Sequence, residues 1–147
     1  MARAGGTSLP ISTKHAIMIA DFVRHKSVTR AKVMLEAVMK KEQAVPFTRF
    51  NSDRGHKPGM AAGQFPIKAA SEILKVIKAA EANAQMKGIS GDLEIVHIAA
   101  NRAARPLRYG RKSGVKSKRT HLDVVLAEGT KKEARKERVK KEQKGTS

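Results

Sequence analysis

The first two helices are predicted where apolar residues recur every three or four positions. Ser12 is suited to cap the stretch KHAIMIADFVRHK, and Ser27 the stretch VTRAKVMLEAVMKKEQ, because serine is favoured just before the first helical turn. Each stretch carries one apolar stripe, made of Ala16, Ile19, Ala20 and Val23 in the first and of Ala31, Met34, Leu35 and Val38 in the second. The pattern predicts two short helices that meet near residues 25–27.

The clearest amphipathic pattern is the stretch IKAASEILKVIKAAEANAQMK. Pro66 suits the first position of this helix, and Gly88 suits its carboxyl end. Glu72 is spaced to pair with Lys75 or Lys68 on the solvent side. The predicted buried positions follow the helical repeat and are Ile67, Ala70, Leu74, Ile77 and Ala84.

Two strands are predicted nearer the carboxyl end. In LEIVHIAA (93–100) we expect Leu93, Ile95 and His97 to share a face, with His97 hydrogen-bonded at the core edge. In the second strand an apolar set alternates with polar residues, and its members are Leu122, Val124 and Leu126. The two strands pair most simply as an antiparallel hairpin. The first ten residues are read either as an edge strand or as a loose arm.

Residues 44–66 break these patterns. The segment has three prolines, three glycines and no sustained period, so we expect an irregular connection of functional importance. It contains three of the four phenylalanines, Phe47, Phe50 and Phe65, which either stack on unpaired bases or tuck the segment onto the core, the second being favoured. Its candidate RNA-binding residues are Arg49, Arg54, His56 and Lys57, to which the start of the first helix adds Lys14 and His15.

Composition and charge narrow the possible partners. The 147 residues suit one domain, placed at 1–128, followed by a charged tail at 129–147 that is read as disordered or as helical on RNA. Lysine and arginine number 31 against 13 acids, a net charge of +18, which predicts a polyanionic partner. There is no cysteine, no apolar run of the roughly 18–20 residues that a membrane helix needs, and no signal-peptide core. We expect a chain inside the cell, without a membrane partner or homo-oligomer.

The densest charge lies between the two predicted strands. The stretch ANRAARPLRYGRKSGVKSKRTHL (100–122) has eight lysines and arginines and no acid. We call residues 100–121 the basic arm and expect it to turn near 109–114, where Gly110 and Gly114 tolerate positive φ. A loop serving only solubility would mix charges of both signs. The predicted RNA-binding residues of the arm are Arg102, Arg105, Arg108, Arg111, Lys112, Lys116, Lys118 and Arg119, together with His121 beside it.

The sequence offers little support for a catalytic site. The five histidines are scattered without the spacing of a zinc-binding helix, and no thiols accompany them. No phosphate-binding glycine loop or nucleophile motif is present in the sequence. We therefore predict no enzymatic activity, no metal and no cofactor.

Seven segments in the same order resemble a known family. They are ISTKHA (11–16), VPFTRFNS (45–52), GQFPIKAA (63–70), EANAQMKG (81–88), LEIVHIAA (93–100), YGR (109–111) and HLDVVLAE (121–128). Together they resemble the universal large-subunit ribosomal protein family called protein twenty-two, named protein seventeen in eukaryotes, and especially its archaeal and eukaryotic branch. The resemblance spans about residues 5–128. The side NRAARPLRYG is several residues shorter than the family pattern, and the tail lies outside it.

The resemblance implies an α+β fold, with three helices packed on a small antiparallel sheet and a long basic β-hairpin arm. It implies a structural constituent of the cytoplasmic large ribosomal subunit that binds its rRNA and neighbouring proteins. The arm would thread into RNA, and its tip would line the nascent-peptide exit tunnel, opposite the large-subunit protein-four family and in contact with the nascent polypeptide. By position the tip residues are Arg108, Tyr109, Gly110, Arg111 and Lys112. The alternative is an architectural DNA-binding protein that inserts a basic β-ribbon into a groove.

Overall fold

A computed structural model describes residues 1–89 and 91–129 of the chain. In this part of the chain the fold is of the predicted α+β class, with three α-helices and two small antiparallel sheets. The helices are α1 (Thr13–Val23), α2 (Val28–Met39) and α3 (Ile67–Met86), and the strands are β1 (Ala2–Leu9), β2 (Val45–Pro46), β3 (His56–Lys57), β4 (Ala61–Gln64), β5 (Leu93–Arg102) and β6 (Thr120–Glu128). The predicted basic tail lies outside the described residues from position 130 onward.

The larger sheet has the order β1-β6-β5, and both pairings are antiparallel. The predicted hairpin of β5 and β6 is confirmed, and β6 is the central strand. Its alternation is also confirmed, since Leu122, Val124 and Leu126 are fully buried. The first ten residues form the edge strand β1 rather than a loose arm.

The three helices pack against each other and against the larger sheet, and the core lies between them. Helix α3 contacts β1 and β6, α1 contacts β5, and α2 packs on α3. The predicted stripes of α1 and α2 are confirmed, except that Met34 is only partly buried. In α3 the prediction was wrong for Ile67, which is 39% exposed. Ile67 lies in the first turn, where the core-facing positions are taken by Ala69 and Ala70.

The helix ends follow the predicted signals with one correction. The Ser27 side chain accepts a hydrogen bond from the backbone N–H of Arg30, at 3.4 Å, whereas Ser12 precedes α1 without such a bond. Gly88 follows α3 with φ +70°, as a residue that ends a helix requires. Pro66 is not the first helical residue but the residue before it, because its ψ of 65° is not helical.

Residues 44–66 are more ordered than their sequence indicates. Strands β2, β4 and β3 form a second antiparallel sheet in that order, so the prediction of an irregular connection was wrong. Strands of two to four residues are too short for a periodic pattern, which is why the sequence does not reveal them. Phe47 is 2% exposed and lies in the core cluster, which confirms the core interpretation for this phenylalanine.

A bulge in β5 changes which residues face the core. The pairing with β6 shifts between Ile95 and His97, so Val96 is the extra residue. Ile95 and Ile98 are fully buried, whereas His97 is exposed. The prediction that His97 shares the face of Ile95 at the core edge was therefore wrong. Beside the bulge, the link between α1 and α2 pairs with β5, as His25 N–H donates to the Ile95 carbonyl at 2.9 Å.

Candidate nucleic-acid interface

The basic arm starts as a continuation of β5 and β6 and then becomes irregular. The last regular pairs are Asn101 with His121 and Arg102 with Thr120. Beyond them the two sides are joined by backbone hydrogen bonds from Ala103 to Arg119, Ser117 to Pro106 and Arg108 to Val115 (3.2, 2.8 and 3.0 Å). The arm is therefore a paired structure along much of its length.

The tip turns where the sequence predicts. Residues Gly110–Lys112 form a single 3-10 turn, and Gly110 has φ +67°, a conformation that favours glycine. Tyr109, just before the turn, is 96% exposed. Arg108, Arg111 and Lys112 are exposed as well, so every side chain of the predicted tunnel tip faces solvent.

The base of the returning side is held against the start of α1. Thr120 is fully buried, and its hydroxyl donates to the Ile11 carbonyl at 3.1 Å and contacts the Thr13 hydroxyl at 3.0 Å. The Arg119 guanidinium donates to the Ser8 carbonyl at 3.2 Å. His121 Nδ1 accepts from the Ser8 N–H at 3.3 Å. These bonds fix the position from which the cations at 116–119 extend.

A cluster around His15 joins α1 to the second sheet. The edge of the His15 ring meets Phe47 at 5.7 Å between ring centroids, and the Arg54 guanidinium lies 5.1 Å from the centre of the Phe47 ring. Arg54 donates from its terminal nitrogen to His15 Nε2 at 3.2 Å. Because guanidinium has no acceptor, the neutral His15 ring carries its proton on Nδ1. Two predicted RNA-binding residues are thus brought together.

The electrostatics of this cluster favour a neutral His15. Burial lowers the pKa of His15, and the positive charges of Arg54 and Lys118 lower it further. The contact between the Thr13 and Thr120 hydroxyls places the returning side of the arm beside α1. The Arg54 Nε–H is buried and has no hydrogen-bond partner among the described residues.

A cleft of about 500 Å³ separates the arm from the core, and we call it the cationic cleft. One wall comes from residues 10–12, His15, Lys68 and Ala69, and the other from Arg108 and residues 115–119. Its cations are Lys68, Arg108, Lys116, Lys118 and Arg119, and no acid lines it among the residues that the structure describes. It therefore gathers four predicted arm cations and one lysine of α3.

Lys68 was not predicted as a site residue. The sequence interpretation offered Lys75 or Lys68 as the partner of Glu72, and the structure has the pair with Lys75, at 2.9 Å. Lys68 reaches the site through the packing of α3 beside the arm, and no local pattern signals that proximity.

The other predicted residues lie outside the cleft. Among the arm cations these are the exposed Arg102, Arg105, Arg111 and Lys112. Arg49 forms an ion pair with Asp21 at 3.6 Å, and His56 is exposed in β3. Lys14 and Lys57 lie over phenylalanine rings, 5.3 Å from the centre of Phe50 and 5.5 Å from that of Phe65, respectively. These contacts occupy the faces of two rings that the sequence also offered as stacking platforms.

The described residues contain neither a metal-binding cluster nor a helix that could span a membrane. Within residues 1–89 and 91–129, no group of three or more histidine, aspartate or glutamate side chains is placed to hold a metal ion. None of the helices in that part of the chain combines the length and the apolar character needed to cross a membrane.

Comparison with known proteins identifies a family that the chain matches. A family model described as "Ribosomal protein L22p/L17e" matches residues 4–127. The chain is 39% identical over 137 residues to the large ribosomal subunit protein uL22 of Methanosphaera stadtmanae, covering 87% of this chain and 89% of the relative. It is 42% identical to that of Methanopyrus kandleri, over 86% of each chain. The protein of the same name from Ignicoccus hospitalis is 38% identical, over 86% of this chain and 87% of the relative.

The matched region runs from within β1 almost to the end of β6 and includes the whole basic arm. The basic tail falls outside it, as the resemblance of the sequence segments implied. With a family model spanning most of the chain and relatives similar over nearly their whole length, the chain belongs to the ribosomal protein L22p/L17e family, a family of structural constituents of the large ribosomal subunit.

Proposed function

We propose that the chain binds large-subunit rRNA, with the basic arm as the main contact. The observation that carries this proposal is the arm itself, which contains eight lysines and arginines and no acid. Most of these side chains are exposed, and the base of the arm is bonded to α1 and β1. Arginine suits this surface because its planar guanidinium binds phosphate oxygens with two hydrogen bonds.

The tip of the arm is proposed to help line the nascent-peptide exit tunnel. Its side chains at 108–112 are exposed, and Tyr109 offers a bare aromatic face. The partners that follow are the nascent polypeptide and neighbouring large-subunit proteins, including the protein-four family at the tunnel constriction. We place the chain on the cytoplasmic large subunit, with a non-catalytic role and without a homo-oligomer.

Residues 1–128 are proposed to act as one rRNA-binding unit. The core cluster includes residues from every helix and from both sheets, so the arm and the segment 44–66 are mounted on the same core. The candidates Lys14, His15, Arg54, His56 and Lys57 extend the proposed RNA surface from the arm along the start of α1 to the second sheet.

Sucrose-gradient fractionation of cell extract tests the assignment to the large subunit. The protein should sediment with the large subunit and stay there through a moderate salt wash. Recovery on chromatin would favour an architectural DNA-binding protein instead, and recovery in the supernatant would exclude a stable place on the ribosome.

Crosslinking from the tip tests the tunnel separately from rRNA binding. A photoreactive residue at position 109 should crosslink to large-subunit rRNA or to a stalled nascent chain, while one at the exposed position 75 on α3 serves as the control. If position 109 crosslinks only to proteins on the outer ribosome surface, the tunnel role is wrong while rRNA binding stands.

A further inference from the structure

We propose that the cationic cleft holds one backbone phosphate of rRNA, and that this phosphate joins the basic arm to the core. The inference rests on the proposed rRNA binding and adds a specific site to it. The charges and donors that line the cleft, its shape and the bonds at the base of the arm support the proposal.

The positive charges that line the cleft favour the binding of an anion. Lys68 comes from the core wall, while Arg108, Lys116, Lys118 and Arg119 come from the arm. Like charges that converge on one space repel each other, and the lining supplies no acid among the described residues to offset them. An anion bound between the walls turns this repulsion into attraction on both sides at once.

A hydrogen-bond donor of the cleft points to the same ligand. His15 lies in the core wall and accepts from Arg54 through Nε2, so its ring presents Nδ1–H as a donor. Lysine, arginine and a neutral histidine N–H are all donors, and phosphate oxygens are acceptors only. A ligand with donors of its own, such as a basic peptide, would find no carboxylate in this lining.

The shape of the cleft suits a chain passing through it. Its volume of about 500 Å³ exceeds that of a single phosphate group and leaves room for the flanking sugars. Apolar surface beside the cations comes mainly from Val115, which is 49% exposed. An RNA backbone presents both a charged group and apolar sugar surface, and the lining matches the two.

The two walls have different attachments, which gives the phosphate a structural consequence. The returning side is bonded to the core at Thr120 and Arg119, but nearer the tip the bonds of the described residues join only the two sides of the arm to each other. A phosphate that binds both Lys68 and Lys118 adds a link between the core and the arm at the cleft. Binding in the cleft thereby sets the direction in which the tip extends.

A double-mutant cycle on the whole chain tests the shared phosphate. Lys68→Gln and Lys118→Gln are each expected to weaken binding to a large-subunit rRNA fragment by about tenfold at fixed salt. Because the two lysines hold one phosphate, the double variant should lose about ten- to thirtyfold rather than about a hundredfold. Both lysines are exposed, and circular dichroism confirms that each variant is folded before its binding is measured.

The matched control combines Lys118→Gln with Lys75→Gln, an exposed lysine of α3 that pairs with Glu72 outside the cleft. Lys75→Gln alone should leave binding nearly unchanged, and adding it to Lys118→Gln should leave the loss at that of Lys118→Gln alone. Phosphate ethylation interference on the same RNA should reveal one phosphate whose modification blocks the wild-type protein and no longer affects either cleft variant.

The outcomes separate the inference from the function on which it rests. If the losses of Lys68→Gln and Lys118→Gln multiply, the proposal of a bridging phosphate is wrong while rRNA binding stands. The same holds if no single phosphate disappears from the interference pattern. If the wild-type chain binds an unrelated RNA of equal length as tightly as the rRNA fragment, both the inference and the proposed specific binding are overturned.

Discussion

At the scale of single residues, His15 has the most unusual environment of the candidate interface. It contacts Phe47 at its ring edge, accepts from Arg54 and lies near Lys118. A positive charge on His15 would be repelled by those of Arg54 and Lys118. The folded chain therefore keeps His15 neutral, and binding of an anion is the event that would favour its protonation.

This environment predicts a pH dependence of stability. The pKa of His15 is lowered in the folded state from the ordinary value of 6.5, mainly by burial and then by Arg54 and Lys118. The unfolded chain then takes up the proton first, so the stabilisation from neutral His15 is present above 6.5 and is lost as pH falls toward the folded-state value. The free energy of unfolding should fall more steeply for wild type than for His15→Gln between neutral pH and about pH 5.

The control for this measurement is His97→Gln, at an exposed position on β5. Its profile should follow that of wild type after a constant offset. Parallel profiles for wild type and His15→Gln would show that the environment of His15 does not affect stability in this range.

At the scale of elements, α3 allows one residue type to be compared in two environments. Ile77 is fully buried, and Ile67 is 39% exposed in the first turn of the same helix. We expect Ile77→Ala to lower the free energy of unfolding by about 2–5 kcal/mol through lost burial and the cavity left behind. Ile67→Ala should cost clearly less, and chemical denaturation measures both. Equal losses would contradict the burial of α3 described above.

The starts of α1 and α2 make a second matched pair. The Ser27 side chain accepts from the Arg30 N–H at 3.4 Å, while that of Ser12 makes no capping bond to α1. Since the Ser27 bond is long, Ser27→Ala should cost about 0.5–1 kcal/mol, near the lower end for a helix cap. Ser12→Ala should leave the denaturation midpoint nearly unchanged, and a larger loss at Ser12 than at Ser27 would show that the caps are assigned the wrong way round.

At the scale of the whole molecule, the arrangement of charge is uneven. Asp92, Glu94 and Glu128 lie where β5 begins and β6 ends, while the basic arm extends from the other end of the same strands. Among the described residues, this separation orients the arm toward a polyanion. The arm should therefore dominate the salt dependence of RNA binding.

If all eight arm cations meet phosphates, the logarithm of the binding constant falls against the logarithm of salt with a slope of about −6 to −7. Replacing four exposed arm cations outside the cleft with glutamine should make this slope less steep by about three units. The substituted residues are Arg102, Arg105, Arg111 and Lys112.

The matching control replaces four exposed lysines of α3 and the end of α2, which are Lys40, Lys41, Lys75 and Lys78. It removes the same net charge outside the arm and the cationic cleft, so its slope should stay close to that of wild type. Equal changes in the two variants would mean that RNA binding depends on net charge and not on the arm.

Local sequence determined the elements that are long enough to repeat a pattern. The stripes of α1, α2 and α3 and the alternation of β6 each span several turns or pairs, so burial of one face is visible along the chain. The position of the arm and its excess of charge are equally local, because they depend only on the order of residues. The seven segments added the resemblance to a family, from which the proposal of rRNA as the polyanion follows.

Tertiary structure alone decided what depends on contacts between distant parts of the chain. The short strands of the second sheet are defined by partners, the bulge at Val96 by the register of β5 on β6, and the exposure of Ile67 by the position of its neighbours in α3. The cationic cleft is of the same kind, since Lys68 and Lys118 are separated by fifty positions in sequence and face one space. Such proximity follows from how helices pack on a sheet, and no pattern within a single segment encodes it.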